Sequence, residues 1–333
     1  MTVLNSRNPY FDFLRGMAII MVIGIHTVKK DNLGFQSVED ICTVLLRLVL
    51  NCAVPLFLAI SGFFLGKRDI SFGERHIRFL KRQIPKVYVP CLIFSLPYLF
   101  MAIYSDTHNI FKSLATYFAC GFSVYYFIAL IIQYYLLLPI LSKCDRWVGV
   151  ITSAIISITC ILIVTYILHI SMINLPLLIY AGPFPLWLVF FVMGIYFSKS
   201  PRDYSIIPPI IMIIIGFVMQ IGEYLFWLNK GQIVLGIKLS SFIFSSGLIW
   251  FLFSKKIENS YSENIIFSTI NWIGGISFGI YLLHCYIIMA ARKLLPELQW
   301  LVLWSLVLSI SVLIIWAIKS IFPKFSDKYL GFR

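Results

Sequence analysis

Long apolar runs follow one another along almost the whole of this 333-residue chain, and they constrain its fold more than any other feature. A helix needs about 20 apolar residues to cross the hydrocarbon core of a bilayer. Here 60% of the residues are hydrophobic, only 12% are charged and the mean hydropathy is +0.91, whereas a soluble domain carries about a quarter charged residues. The sequence predicts an all-α integral membrane protein and excludes a soluble enzyme, a disordered chain and a disulfide-stapled secreted domain.

The apolar runs predict a bundle of about ten transmembrane helices in a single membrane domain over residues 1–333. Pro55 in the second run, and Pro183 and Pro185 in the sixth, are expected to kink these helices rather than break them, because neighbouring helices can satisfy the freed backbone groups. The predicted spans are 13–29, 41–63, 87–104, 123–141, 148–168, 175–197, 206–228, 233–253, 270–290 and 299–321.

The basic residues lie mainly at the ends of the apolar runs, and their distribution predicts the orientation of the chain. Apart from Arg15 and Arg47, which we treat as membrane-embedded, 18 Lys and Arg fall on one side and 7 on the other. Because cytoplasmic loops are enriched in Lys and Arg, both termini are predicted to be cytoplasmic. The net charge of +13 is thus assigned to orientation and lipid headgroups, and no nucleic-acid partner is expected. The 18 inner residues include Arg7 and Arg333, and the 7 outer residues include Lys29, Lys30, Lys238 and Arg292.

The longest polar segment, from Gly66 to Lys86, is predicted to be a cytoplasmic loop, and it holds seven Lys or Arg against Asp69 and Glu74. These charges form either an orientation signal that binds headgroups or a site for an anionic cytoplasmic ligand. The seven cysteines have no CxxC spacing and no histidine cluster nearby. They are interpreted as small buried side chains, and no metal is expected.

Ionisable side chains inside a membrane helix are costly unless they face a cavity or a partner, so each is a functional candidate. Arg15 and His26 are eleven positions apart, which places both on one face of a helix, about 16 Å apart along its axis. Arg15 belongs at the cytoplasmic mouth and His26 in the outer half of the bilayer. The structural alternatives are snorkelling to the interface for Arg15 and a helix–helix hydrogen bond for His26.

Further candidates lie at about the depth of that histidine in the predicted spans. Arg47 and Glu223 are candidates for orienting the imidazole, contacting an acceptor or stabilising an oxyanion, a role that suits Arg47. The alternative for both is a charge at the outer interface. Ser277, Tyr281 and His284 fall at i, i+4 and i+7, one stripe of a helix, which is typical either of a cavity wall or of polar helix packing.

The opening run FDFLRGMAIIMVIGIHT, which contains Arg15 and His26, resembles the first helix of the acyltransferase-3 family of integral membrane acyltransferases. Four more motifs follow in the family's order, so the resemblance spans essentially the whole chain. One departure is Tyr126–Phe127, where many members have Trp–Phe. The further motifs are VPLFLAISGFFLG (54–66), FLKRQIPKVYVP (79–90), YYFIALIIQYYLLLP (125–139) and ISFGIYLLH (276–284).

The resemblance implies a carbohydrate O-acetyltransferase of the bacterial cytoplasmic (inner) membrane. It implies transfer of an acyl group, usually acetyl from cytoplasmic acetyl-CoA, to a cell-surface or lipid-linked polysaccharide of the O-antigen or exopolysaccharide type at the outer face. Arg15 and His26 match the family's functional pair. On this view Arg47, Glu223 and His284 assist at the reacting centre.

Coenzyme A fits these residues, because its pantetheine arm is roughly as long as the separation between Arg15 and His26. An arginine fork suits phosphate, and a neutral imidazole can take the proton of an attacking hydroxyl. A covalent acyl-histidine would use the same imidazole differently, and both mechanisms stay open. Further donor contacts are expected from Arg75, Arg78, Arg82 and Lys86, and further substrate contacts from Ser277 and Tyr281.

The alternative from another class is a glycan exporter or lipid-linked-sugar transporter without transferase chemistry, because membrane-embedded charges also mark transport pathways. Such a transporter is expected to show paired broken spans in two related halves, and the sequence does not indicate them. A receptor or assembly subunit with an inactive site is a third interpretation, against which the intact Arg15 and His26 argue.

Overall fold

The computed structural model describes residues 8–28, 37–68, 70–105, 109–262 and 264–332, and these residues form helices and turns without a strand. Arg7, Lys29, Lys30, Asp69 and Arg333 lie outside the described residues. The helices are α1 (Pro9–Thr27), α2 (Val38–Leu50), α3 (Ala53–Gly66), α4 (Glu74–Ser105), α5 (Ile110–Phe118), α6 (Tyr126–Leu141), α7 (Trp147–Thr165), α8 (Leu177–Ala181), α9 (Phe184–Lys199), α10 (Ile207–Leu228), α11 (Leu239–Leu252), α12 (Lys255–Ser260), α13 (Ile265–Gly275), α14 (Ser277–Leu294), α15 (Trp300–Ile321) and α16 (Pro323–Phe325).

Seven helical segments of the described residues are long and apolar enough to cross a membrane, as expected of an integral membrane protein. They coincide with the first five, the seventh and the tenth of the predicted spans. The total of ten and the orientation of the termini stay predictions. The seven segments are Pro9–Thr27, Val38–Gly66, Glu74–Ser105, Ser123–Leu141, Trp147–Ile170, Ile207–Leu228 and Trp300–Ile321.

The other three predicted spans differ from the structure. In the eighth, α11 has only 14 residues. The ninth is bent by 81° between α13 and α14, rather than one straight helix. In the sixth, α8 ends at Ala181 and α9 begins at Phe184, so the expectation that Pro183 and Pro185 only kink this helix is wrong.

Side chains of neighbouring helices satisfy the backbone at this break. Gln133 donates from Nε2 to the Gly182 carbonyl (2.8 Å) and accepts from the Phe184 N–H at Oε1 (3.1 Å). Ser157 donates to the Pro185 carbonyl (3.0 Å) and accepts from the Val189 N–H (3.2 Å). The broken helix is therefore stable within an apolar environment, where unsatisfied backbone groups would be costly.

The predicted loop from Gly66 to Lys86 is partly helical, because α4 begins at Glu74. Its 32 residues extend about 48 Å, which exceeds the roughly 30 Å hydrocarbon core, and the excess accommodates the basic first turns. The helix remains continuous through three internal prolines, Pro85, Pro90 and Pro97.

The helices group into two units, each built from segments far apart in the sequence. The first unit comprises Met1–Ile60 and Pro201–Leu313, and the second comprises Ser61–Ser200 and Ile314–Arg333. Within the first unit, α1 packs against α2, α13 and α14, and α10 packs against α2 and α11. This unit contains His26, Arg47, Glu223 and His284.

Two glycines bring the backbones of α1 and α13 into direct contact. A Cβ added at Gly16 would lie 2.0 Å from the Ile270 carbonyl oxygen, and one at Gly274 would lie 1.8 Å from that of Asp12. No side chain fits at either position without moving the helices apart. Small residues allow this close approach in membrane bundles, where van der Waals packing drives helix association.

The beginning of α1 is anchored by a polar cluster. Asn8 caps the helix by accepting the Tyr10 N–H (3.0 Å) and donates from Nδ2 to Glu258 (2.9 Å). Glu258 also pairs with Arg202 (2.7 Å) and Lys255 (3.3 Å). Burial alone would raise the pKa of Glu258, but the Asn8 hydrogen bond and the two cations outweigh it and hold the pKa below its ordinary value. The carboxylate therefore remains ionised at neutral pH and holds this helix end.

Candidate active site

His26 and His284 lie side by side in the first unit. His26 occupies the last turn of α1 and His284 the middle of α14, and their ring centroids are 5.4 Å apart with an interplanar angle of 42°. His284 is fully buried. The expectation that the two histidines lie close together agrees with this geometry.

The hydrogen bonds of the two rings differ. Nδ1 of His284 lies 2.7 Å from the Tyr281 carbonyl oxygen, which can only accept, so Nδ1 carries the proton. Its Nε2 then faces Cys285 Sγ at 3.3 Å. The His26 ring, in contrast, makes no hydrogen bond to another residue in the described part of the chain, which leaves its nitrogens available to a reactant.

Arg292, near the end of α14, fixes the end of α1. Its guanidinium donates to the carbonyl oxygens of His26 (3.0 Å) and Thr27 (3.2 Å). The last carbonyls of a helix lack intrahelical partners and carry partial negative charge, so a cation is favoured there. One side chain thus connects the backbone of His26 to the helix that bears His284.

Arg47 supplies a second buried guanidinium, with only 9% of its surface exposed. It donates to the Asn51 side chain, whose Nδ2 in turn donates to the Leu235 carbonyl (2.6 Å) and so ties α2 to the segment 229–238. The charges of Arg47 and Arg292 both act on the His26 ring. Arg47 and His26 belong to the same unit, and the role of Arg47 at the imidazole stays a prediction.

Glu223 lies on α10 and accepts hydrogen bonds from the backbone N–H (3.1 Å) and the hydroxyl of Ser240, the second residue of α11. A carboxylate at a helix N-terminus is stabilised by the free N–H groups there. Glu223 also interacts electrostatically with Lys238. Its closest partners thus belong to α11 and the preceding segment rather than to the imidazole pair.

Arg15 forms an ion pair with Asp12, one turn earlier on α1. The Asp12 side chain is 7% exposed and that of Arg15 33%, so the guanidinium reaches outward from a buried carboxylate. Arg15 and His26 lie on one continuous helix, as predicted. A helix of this length separates them by about 16 Å along its axis.

The four basic residues proposed to contact the donor lie in the second unit, on the first turns of α4. At 100° per residue their spacing of three, four and four positions places them on one helix face, within about 80° of arc. The predicted loop did not indicate this alignment. The residues are Arg75, Arg78, Arg82 and Lys86.

Ser277 and Tyr281 continue the buried stripe of His284 along α14, as their spacing predicted. Ser277 begins the helix directly after the 81° bend, and the Tyr281 ring centroid lies 6.0 Å from that of His284. This position is compatible with a cavity wall and with packing, the two alternatives stated above.

Several residues of the site escaped the sequence analysis. Arg292 and Lys238 count there only as outer-side cations, and Asn51 and Cys285 are not among the candidates. The available signal was their position in or beside apolar runs. Asn51 and Cys285 lie within the runs that carry Arg47 and His284, Arg292 follows the run of His284, and Lys238 lies near the beginning of the eighth run. Among the described residues, no group of three His, Cys, Asp or Glu is arranged to hold a metal ion.

The acyltransferase domain of the acyltransferase-3 family matches this chain over residues 8–320. Comparisons with curated proteins and with solved structures found no match. The matched region includes every candidate site residue and runs through both units. An exporter without transferase chemistry has no support from this match. The chain therefore belongs to the acyltransferase-3 family and is an acyltransferase.

Proposed function

We propose that this protein, in a bacterial inner membrane, transfers an acetyl group from cytoplasmic acetyl-CoA to a hydroxyl of a cell-surface or lipid-linked polysaccharide of O-antigen or exopolysaccharide type. The observation that carries the proposal is the His26 ring, unbonded within the described residues and beside His284. The guanidinium of Arg292 contacts the His26 carbonyl, and the buried Arg47 belongs to the same unit. Acyl transfer to a hydroxyl needs a proton acceptor and a cation for the developing oxyanion, and this site offers both.

The reaction joins the acceptor oxygen to the acetyl carbonyl carbon and breaks the thioester C–S bond. His26 takes the hydroxyl proton as the oxygen attacks and returns it to the departing CoA sulfur. Arg47 stabilises the negative charge that develops on the carbonyl oxygen. His284 packs against His26 and holds the ring in place, with its own orientation fixed by the Tyr281 carbonyl.

The remaining predicted residues have supporting roles in this proposal. Glu223 positions the start of α11 through Ser240, and Ser277 and Tyr281 contact the substrate along the stripe of His284. Arg15 binds a phosphate of the donor, for which its planar fork is suited. The aligned basic face of α4 supplies further positive charge for the donor phosphates through Arg75, Arg78, Arg82 and Lys86.

An acyl-histidine intermediate is the competing use of His26. The two mechanisms differ when the protein is mixed with radiolabelled acetyl-CoA in the absence of acceptor. A covalent intermediate would leave label on the wild-type protein but not on His26→Ala, whereas a general base would leave no stable label on either.

The test of function is acetyl transfer by the protein in nanodiscs, with base-deacetylated surface glycan from the producing cells as acceptor. His26→Ala should lower kcat by about 10²- to 10⁴-fold, the usual contribution of a general base, while CoA binding persists. His169→Ala, at the end of the span containing α7, is the matched control and should retain wild-type activity. Equal loss of CoA binding and of activity in His26→Ala would refute the catalytic role.

A second measurement identifies the product. Mass spectrometry of the surface glycan, from cells with and without the protein, should show a shift of one acetyl group per modified residue. The same glycan mass in both, with the protein folded and present in the membrane, would contradict the proposed activity.

A further inference from the structure

Lys238 is a buried cation that the proposed reaction does not use. It lies in the segment 229–238, directly before α11, and only 1% of its surface is exposed. Its ammonium donates to the Gln220 carbonyl (3.3 Å) and lies 5.8 Å from the centroid of the Tyr224 ring. Within the described residues this is its one hydrogen bond, although an ammonium carries three donors. Two N–H groups of a buried cation thus remain for a ligand.

The side chain of Gln220, the residue whose backbone carbonyl Lys238 contacts, is a second unused group. It is fully buried, and neither Oε1 nor Nε2 has a hydrogen-bond partner among the described residues. Buried amides are almost always paired, because an unpaired one loses its hydration without compensation. Gln220 lies one turn before Tyr224 on α10, so its side chain shares the helix face that Lys238 contacts.

The charges around Lys238 are unbalanced. Glu223 is the carboxylate that interacts with it, and Glu223 already accepts two hydrogen bonds from Ser240. The positive charge of Arg47 also repels that of Lys238. The only hydrogen-bond partner of Arg47 among the described residues is the neutral Asn51 side chain. Two buried cations thus share one carboxylate, and burial of an unbalanced positive charge is costly. An anion bound here would supply the missing charge.

This cluster adjoins the reacting centre. Val28, two residues after His26, packs against Val44, Leu48 and Tyr224, the ring that Lys238 approaches. The charge of Arg47 acts on both His26 and Lys238. A sugar whose anionic group is held at Lys238 can therefore present a hydroxyl to His26.

We propose that Lys238 and the side-chain amide of Gln220 form a subsite for an anionic group, carboxylate or phosphate, of the acceptor glycan. This inference rests on the proposed acetyl transfer and adds the class of acceptor, an acidic rather than a neutral polysaccharide. Lys238 donates to the anion from the two N–H groups that have no partner, and Gln220 donates from Nε2 while its Oε1 accepts from a neighbouring sugar hydroxyl.

The experiment compares three forms of the deacetylated surface glycan, namely untreated, with its carboxyl groups reduced to alcohols, and with its phosphates removed. With wild-type protein in nanodiscs, one of the two treatments should raise the acceptor KM by about 10- to 100-fold, the range expected for a hydrogen bond to a charged group. The treatment that does so identifies the anion as carboxylate or phosphate. The KM for acetyl-CoA should not change.

Variants locate the effect. Lys238→Met should raise the acceptor KM for untreated glycan by a similar factor and abolish the difference between treated and untreated glycan. Gln220→Leu should weaken acceptor binding less, and Lys238→Arg should restore most of it. The matched control is Lys230→Met, which should behave as wild type. Lys230 is an exposed cation of the same segment, and its ammonium lies over the Phe226 ring.

Two results would overturn the subsite. One is a wild-type protein that acetylates all three glycans with equal KM, and the other is a Lys238→Met variant that still distinguishes the charged from the neutral glycan. No transfer by the wild type to any of the three would instead refute the proposed function, and the subsite with it.

Discussion

The guanidinium of Arg292 donates to the backbone carbonyl of His26, 3.0 Å away, although the two residues are 266 positions apart in the sequence. Arg292 and His284 share α14, so this contact sets the end of α1 against the helix that carries the second histidine. The two rings lie 5.4 Å apart, and this backbone contact connects the two helices that carry them.

Arg292 is therefore a positioning residue, and its replacement should reduce turnover without affecting the donor. We expect Arg292→Gln to lower kcat by about 10- to 100-fold, because a displacement of about 1 Å at a reacting group has effects of that size, and to leave the KM for acetyl-CoA unchanged. Arg292→Lys should recover part of the loss, since an ammonium can reach one of the two carbonyls. Steady-state kinetics in nanodiscs measure both constants.

The control for this prediction is Lys293→Gln, which removes the adjacent exposed cation. It should leave kcat as in the wild type. A parallel fall of kcat and thermal stability in Arg292→Gln, with no recovery in Arg292→Lys, would show that the residue serves the fold alone.

The sequence predicted what depends on local periodicity and missed what depends on packing between distant segments. Seven of the ten spans predicted from the apolar runs coincide with helices long enough to cross a membrane, and the eleven-residue spacing predicted Arg15 and His26 on one helix face. The break before Phe184 could not be predicted, because side chains of other helices, among them Gln133 and Ser157, satisfy its backbone groups. Short apolar helices and sharply bent pairs have the same composition as straight spans.

The same limit applies to the site. A cation at the end of an apolar run has one sequence pattern whether it reaches headgroups or turns into the protein, so Lys238 and Arg292 were indistinguishable from orientation signals. Arg47 and His284 were identified because an ionisable group within an apolar run is unusual by itself. Gln220 carries no charge, and its lack of a partner is visible only once α10 and α11 are packed.

Arg15 should act mainly on donor binding. If it contacts the donor phosphates equally in the ground and transition states, Arg15→Ala should raise the KM for acetyl-CoA with little change in kcat. Arg15→Lys should rescue only partly, because a point charge cannot reproduce the guanidinium fork. Asp12→Asn tests the ion pair separately. A lower kcat of Arg15→Ala at saturating acetyl-CoA would exclude a role confined to donor binding.

The contact between α1 and α13 should be intolerant of even one methyl group. Gly274→Ala places a Cβ within 1.8 Å of the Asp12 carbonyl oxygen, and we expect it to destabilise the protein by about 1 to 3 kcal/mol, the usual cost of overpacking. Gly222→Ala is the matched control, since no atom lies within 4 Å of its Cβ position and alanine is the better helix former. Thermal unfolding in detergent should show a lower midpoint for Gly274→Ala only.

The predicted orientation can be tested with single cysteines in a cysteine-free variant. Ser71→Cys lies in the exposed segment before α4 and Asn229→Cys in the exposed turn after α10. With cytoplasmic termini, a membrane-impermeant maleimide should label Asn229→Cys on intact cells and Ser71→Cys only after permeabilisation. The reverse pattern would place both termini outside and require the opposite sidedness for donor and acceptor.

The charge of Lys238 gives the acceptor subsite a pH dependence of known sign. Lys238 lies outside the helices, and burial lowers its pKa to about 8, with Glu223 raising it and Arg47 lowering it further. The ammonium is charged below this pKa and neutral above it. The acceptor KM for the acidic glycan should therefore rise as the pH increases through about 8.

In Lys238→Arg the guanidinium stays charged throughout this range, so its acceptor KM should remain flat from pH 6.5 to 9.5, roughly the window around that pKa. Steady-state measurements of the acceptor KM on both proteins decide the matter, and an inflection of the same size in Lys238→Arg would assign the titration to another group.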